Sequence, residues 1–127
     1  MHDELRDAWS GWLQKFRWDY FLTITFRTPR QANHALSSIN QAGKIIRRHT
    51  RGRFFLGTEL HLSRNLHMHG LLQAPGEPTK SMADALWHDF CRTFGRSQVH
   101  KVQSNEAVAH YVTKYVTKEL TEWDISI

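Results

Sequence analysis

The 127 residues make a chain of one domain's length, with one cysteine, Cys91, and a formal charge of +5. A lone cysteine excludes an intramolecular disulfide framework and a Cys-x-x-Cys zinc ribbon, and no apolar run approaches the roughly 20 residues that cross a bilayer. The N-terminus, Met1 to Arg6, lacks the basic-then-apolar layout of a signal peptide, and the basic balance favours a polyanionic partner, nucleic acid first.

No repeat, low-complexity stretch or long linker divides the chain, so 1–127 reads as a single domain. Residues 3–16 carry Leu5, Ala8, Trp9, Trp12, Leu13 and Phe16 at helical spacing, which predicts an N-terminal helix capping the rest. Residues 18–26 read as a strand. Tyr20, Leu22, Ile24 and Phe26 form its apolar face, with Phe21, Thr23 and Thr25 on the other. Thr28 as cap and Pro29 at the first position fit a helix start. That helix runs to about His49 and buries Ala35, Leu36, Ile39, Ala42 and Ile46. Lys44, Arg47, Arg48, Arg51 and Arg53 crowd its end. They read equally as a solvated helix terminus and as a surface that contacts DNA phosphates.

A hairpin follows, over about 53–62 and 66–73, with Ser63, Arg64 and Asn65 as turn residues. Residues 74–78 are a loop. Thr79 to Phe94 is a second helix with Met82, Leu86, Phe90 and Phe94 inward and Trp87 and Cys91 packed; Gly95 ends it. Residues 97–103 make a short, weakly patterned edge strand. Asn105 caps a last helix over about 106–120. The order β-α-β-β-α-β predicts an α+β fold: a ferredoxin-like, RRM-like antiparallel sheet with an N-terminal helix and a C-terminal tyrosine-bearing helix. Both crossover helices then cover one face. The first and third strands lie inside the sheet, and the last helix folds back over the other face.

The hairpin concentrates the chemistry. On the third strand His67 and His69 share a face, opposite Leu66, Met68 and Leu72. On the second, Phe54, Leu56, Leu60 and Leu62 form the apolar set and leave Glu59 and His61 together. If both apolar sets face one core, Glu59, His67 and His69 share the opposite face, with His61 as a further candidate. Two imidazoles and a carboxylate so placed can reach one divalent cation. The last helix carries Tyr111, Lys114, Tyr115 and Lys118 at i, i+3, i+4, i+7, on one flank. Beside them runs an apolar stripe of Val108, Val112 and Val116. Tyr115 lies nearer that stripe and is expected to be better held, with Tyr111 further out and freer to move.

Taken in order, Phe21-Leu-Thr-Ile-Thr-Phe26, His67-Met-His69 and Tyr111-Val-Thr-Lys-Tyr-Val-Thr-Lys118 resemble the three motifs of the HUH endonucleases. These are the rolling-circle replication initiators, or Rep proteins, of phages, plasmids and small single-stranded DNA viruses. The paired tyrosines resemble the initiators of small isometric phages, the best known of which are much longer. The resemblance implies Mg²⁺ or Mn²⁺ held by His67, His69 and Glu59; His61 has no firm counterpart. It implies a tyrosine nucleophile, Tyr111 or Tyr115, that cuts a single-stranded replication origin and forms a 5′-phosphotyrosine bond, with Lys114 and Lys118 in support. Two tyrosines permit two linked transfers, nicking and then joining. Larger viral Reps carry a helicase domain not found in this chain, so a separate helicase and polymerase are the expected partners. The expected location is the cytoplasm of a bacterial or archaeal cell, from a phage or plasmid gene, or a host nucleus for a eukaryotic virus.

Other readings share parts of this pattern. A related HUH transposase would use the same residues on a different DNA. A non-catalytic module for single-stranded nucleic acid would stack bases on Phe21 and Phe55, although Glu59 repels phosphate unless a cation neutralises it. A structural zinc domain would unfold when its metal is removed.

Overall fold

Apolar residues at every second position of the first strand need a layer beneath them, and two helices supply it. The computed structural model describes residues 2–60, 65–111 and 120–126. Its helices are α1 (His2–Leu13), α2 (Ala35–His49), α3 (Lys80–Thr93) and α4 (Asn105–Tyr111). Its strands are β1 (Tyr20–Thr25), β2 (Phe54–Leu60), β3 (Leu66–Leu72), β4 (Ser97–Lys101) and β5 (Leu120–Ser126). They form one sheet in the order β4-β1-β3-β2-β5, with every pairing antiparallel. This is the expected α+β, ferredoxin-like arrangement with one strand added beside β2.

Two cores sandwich the sheet. On one face Leu22, Ile24, Leu56 and Met68 pack against Ile39, Ala42 and Ile46 of α2 and Leu86 and Phe90 of α3. On the other, Leu13 of α1, Trp18, Phe55, Leu71, Val108 and Tyr111 of α4 form a second cluster. Phe55 is fully buried there, and Phe21 packs on Tyr111 with ring centroids 4.5 Å apart. Of the pair expected to stack bases, Phe55 is therefore packed into protein, while Phe21 is half-buried.

Several boundaries differ from the sequence expectation. Helix α2 begins at Ala35 after a 3-10 turn over Ala32–His34, so Thr28 does not cap it. The preceding segment is held elsewhere. The Arg30 carbonyl accepts from the Leu66 N–H at 2.8 Å, and its guanidinium lies 4.4 Å from the Phe26 ring centroid. Leu36, expected inside, is 55% exposed, while Ser38 and Ile45 are buried with Ala35, Ile39, Ala42 and Ile46. Trp87 is exposed rather than packed, its indole donating to the Ser97 carbonyl at 2.8 Å. Ser104, not Asn105, caps α4: its hydroxyl accepts from the Ala107 N–H at 3.1 Å. The helix expected over 106–120 is described only to Tyr111, and the chain returns as β5, a strand the sequence pattern does not predict. Gly95 does end α3, at a φ of +126° that glycine tolerates.

Helices α2 and α3 are also joined by charge. Asp89 is 8% exposed. Its carboxylate accepts from Arg92 at 2.6 Å and from His49 Nε2 at 2.9 Å, with Arg48 3.8 Å away. The hydrogen bond from His49, then that from Arg92, holds the Asp89 carboxyl below its ordinary range.

Both the second core and this charged link can be measured through stability. Phe55→Ala should lower unfolding free energy by about 3–5 kcal/mol in urea titrations, since it empties the second core. Asp89→Asn should cost about 1.5–3 kcal/mol at neutral pH. A depressed carboxyl stabilises the fold above its unfolded value and loses that contribution as pH falls through the folded one. The gap between wild type and Asp89→Asn should therefore close as pH drops below about 4.

Candidate active site

Strand β3 runs through mid-sheet, and its alternation decides what faces the second core. Met68 points to the α2–α3 side, while His67, His69 and Leu71 point to the other. Register then supplies their neighbours. His67 stands opposite Glu59 on β2 and Thr25 on β1; His69 stands opposite Gly57 and Thr23. Gly57 has no side chain, so Glu59 fills the space by reaching diagonally. Its Oε1 lies 2.9 Å from His69 Nε2. The β2–β5 register also slips between Thr58 and Glu59, an irregularity of the kind that re-aims side chains beside active sites.

These groups line a cavity of about 420 Å³, within the usual range for small-ligand pockets. Glu59, His67, His69 and Tyr111 contribute to it, with Phe21 and Thr23 from β1 and Gln98 and His100 from β4. His69 is 6% exposed. Glu59, His67 and His69 thus share one face, as strand alternation predicts, and the fold gathers them into one cavity. Gln98 and His100 are additions that the sequence reading passed over. Their signal was alternate spacing along a strand that the predicted topology sets beside β1.

Tyr111 departs from expectation. It is 7% exposed, not loose on an outer flank. Its hydroxyl donates to the Leu22 carbonyl at 2.6 Å and accepts from the Gly70 N–H at 3.0 Å. Leu22 and Gly70 are register partners, so the phenol ties β1 to β3 at one rung. Its ring sits edge-on to His69 at 6.1 Å. The chain leaves this site at Tyr111 and returns at Leu120, whose Cα partner on β2 is Glu59. Lys114, Tyr115 and Lys118 lie between, outside the described residues, and His61 also falls outside them.

Among the described residues, no group of three or more His, Cys, Asp or Glu side chains is arranged so that it could hold a metal ion. The donor set nevertheless suits a hard or borderline divalent ion. The 2.9 Å between Glu59 and His69 is a hydrogen-bond length, and these two with His67 are the residues that would hold such an ion.

The expected DNA-binding cluster lies elsewhere. Arg51 and Arg53 precede Phe54, the end of β2 that pairs with Leu72, whereas Glu59 and His67 mark the other end. Phe54 and Glu59 are five positions apart, about 17 Å along the strand. Arg47 lies over the Phe54 ring at 5.0 Å and Arg53 over the Phe16 ring at 5.1 Å. Lys44, Arg47, Arg48, Arg51 and Arg53 are all exposed.

No individual curated protein matches the chain significantly. A family model does: that of the replication-associated protein ORF2 family matches residues 19–120, from just before β1 to the start of β5. The match spans β1 to β4, the cavity and the tyrosine segment, and the chain belongs to the replication-associated protein ORF2 family.

Proposed function

We propose that the chain is a metal-dependent nicking and joining enzyme for single-stranded DNA that initiates rolling-circle replication through a 5′-phosphotyrosine intermediate. One observation carries this reading: Glu59, His67, His69 and a tyrosine converge on a single cavity in a replication-associated protein. The non-catalytic stacking module loses one of its two rings, because Phe55 is buried, and the other, Phe21, is half-buried against Tyr111.

His67, His69 and Glu59 would hold Mg²⁺ or Mn²⁺. When bound, the ion supplies Lewis acidity toward a scissile phosphate oxygen. The protein's part is to orient the imidazoles and to deliver a nucleophile. A tyrosine oxygen attacks phosphorus, a phosphotyrosine bond forms, and the bond to the 3′-oxygen breaks. That oxygen leaves as a 3′-hydroxyl after gaining a proton, and the tyrosine gives one up. Near neutral pH only about 0.1% of an ordinary tyrosine is ionised, so its proton needs an acceptor or a neighbouring cation. Lys114 and Lys118 take that role.

The two tyrosines are not equivalent on this reading. The Tyr111 hydroxyl already donates to Leu22, so attack by Tyr111 first requires that bond to break. Tyr115 makes the first transfer and Tyr111 the second, once it leaves its seat. Both ends of the segment that carries Tyr115 meet the site, at Tyr111 and at Leu120 opposite Glu59.

Incubation with a pool of single-stranded oligonucleotides and Mn²⁺ should yield a covalent protein–DNA adduct on denaturing gels. His67→Ala or His69→Ala should reduce that adduct by roughly 100-fold or more while the circular-dichroism spectrum stays native. Undiminished adduct in either variant rules out the metal assignment. Tyr115→Phe should abolish single-turnover nicking. Tyr111→Phe should keep nicking, lose joining, and unfold about 1–3 kcal/mol more easily, because two buried backbone groups lose their partner. Nicking that survives in Tyr115→Phe and vanishes in Tyr111→Phe reverses the order.

A further inference from the structure

Strand β4 brings two polar side chains to the cavity that the proposed chemistry leaves unused. Gln98 is paired with Thr23, which in turn faces His69 across β1–β3. His100 is paired with Phe21. Both β4 residues are exposed, and both line the cavity with His67 and His69. Polar residues are ordinary on an edge strand, where they discourage pairing with foreign strands. What separates these two is the shared cavity: they form its wall on the β4 side, two strands from His69, about 10 Å away.

The chemistry of that wall suits a nucleobase. The Gln98 amide carries both donors and an acceptor, so it can pair with a base edge in two directions at once. A single strand leaves its Watson–Crick edges open for such contacts, and imidazole is among the rings on which unpaired bases stack. The wall holds no carboxylate. Glu59 and its imidazole partner stand on the opposite side, on β2 and β3. A nucleotide whose phosphate lay at His67 and His69 would have its base, or that of its neighbour, within reach of β4.

We infer that Gln98 and His100 form a base-reading subsite for a nucleotide beside the scissile phosphate: Gln98 selects the base by hydrogen bonding and His100 stacks on it. This rests on the proposed DNA reading of the cavity and extends it to specificity. It requires no covalent step, so it can be tested without chemistry.

The experiment selects binders from a pool of random single-stranded oligonucleotides without added metal, using wild type, Gln98→Ala, Gln98→Glu and His100→Ala. Wild type should enrich one base at one position. Gln98→Ala should erase that preference and weaken binding of the selected oligonucleotide about tenfold. Gln98→Glu, an acceptor where Gln98 has donor and acceptor, should shift the preference toward a base that donates, such as cytosine. His100→Ala should weaken binding with less change in preference. Exposed positions tolerate such changes within about 0.5 kcal/mol of stability, and melting curves check this. An unchanged preference and affinity in both alanine variants overturns the subsite, as does a wild type with no base preference. Adduct formation by wild type is scored separately, so a protein that binds selectively but never cuts removes the nicking reading and leaves the subsite standing.

Discussion

The contact between Glu59 and His69 is the constraint around which the site is arranged. Strand β3 is covered on both faces, and His69 lies in the layer between its two cores at 6% exposure. A buried imidazole without a polar partner is costly. Glu59 meets it from β2, where Gly57 opposite His69 carries no side chain and the strand register breaks beside Glu59. The same pair sits at the floor of the cavity. The same carboxylate places a negative charge in the cavity, which on the proposed reading draws a cation and, without one, repels bare phosphate. One contact then serves the packing of His69 and, on that reading, the chemistry.

Tyr111 extends this coupling to the helix that follows. A phenol packed on Phe21 and bonded to both β1 and β3 fastens α4 over the sheet. The ring that closes the second core also brings its hydroxyl to within one strand of the histidines. Spacing from the valine stripe makes Tyr111 look the freer of the two tyrosines. The fold instead commits its hydroxyl to the backbone of β1 and β3.

Much of this was legible in the sequence, for a plain reason: period-two alternation survives tertiary context. Counting by twos placed Glu59, His67 and His69 on one face and Leu22, Leu56 and Met68 on the other, and the order of elements gave the arrangement of the first four strands. The failures share a different cause. Thr28 and Pro29 make a good local helix start, but the Arg30 carbonyl is held by Leu66 and its guanidinium lies over the Phe94 ring, contacts remote in sequence. Tyr111 was placed by its distance from a valine stripe, which carries no information about a hydroxyl that finds Leu22 and Gly70. Strand β5 has Leu120, Trp123 and Ile125 as its apolar residues, a pattern without clean alternation. Its pairing depends on the free side of β2, and that appears only once the sheet exists.

The separation between the arginines before β2 and the histidines of β3 bears on how much DNA the protein covers. From Phe54 to the Glu59–His67 pair is about 17 Å of sheet, so a strand held at both ends must run along the strands and not merely cross them. Its footprint would then be several nucleotides, set by the length of β2 rather than by the size of the cavity. A shorter oligonucleotide would fill the cavity and leave the arginines in water. Length dependence and salt dependence would therefore change together: lengthening the DNA past that span adds phosphate contacts, and each one releases counterions.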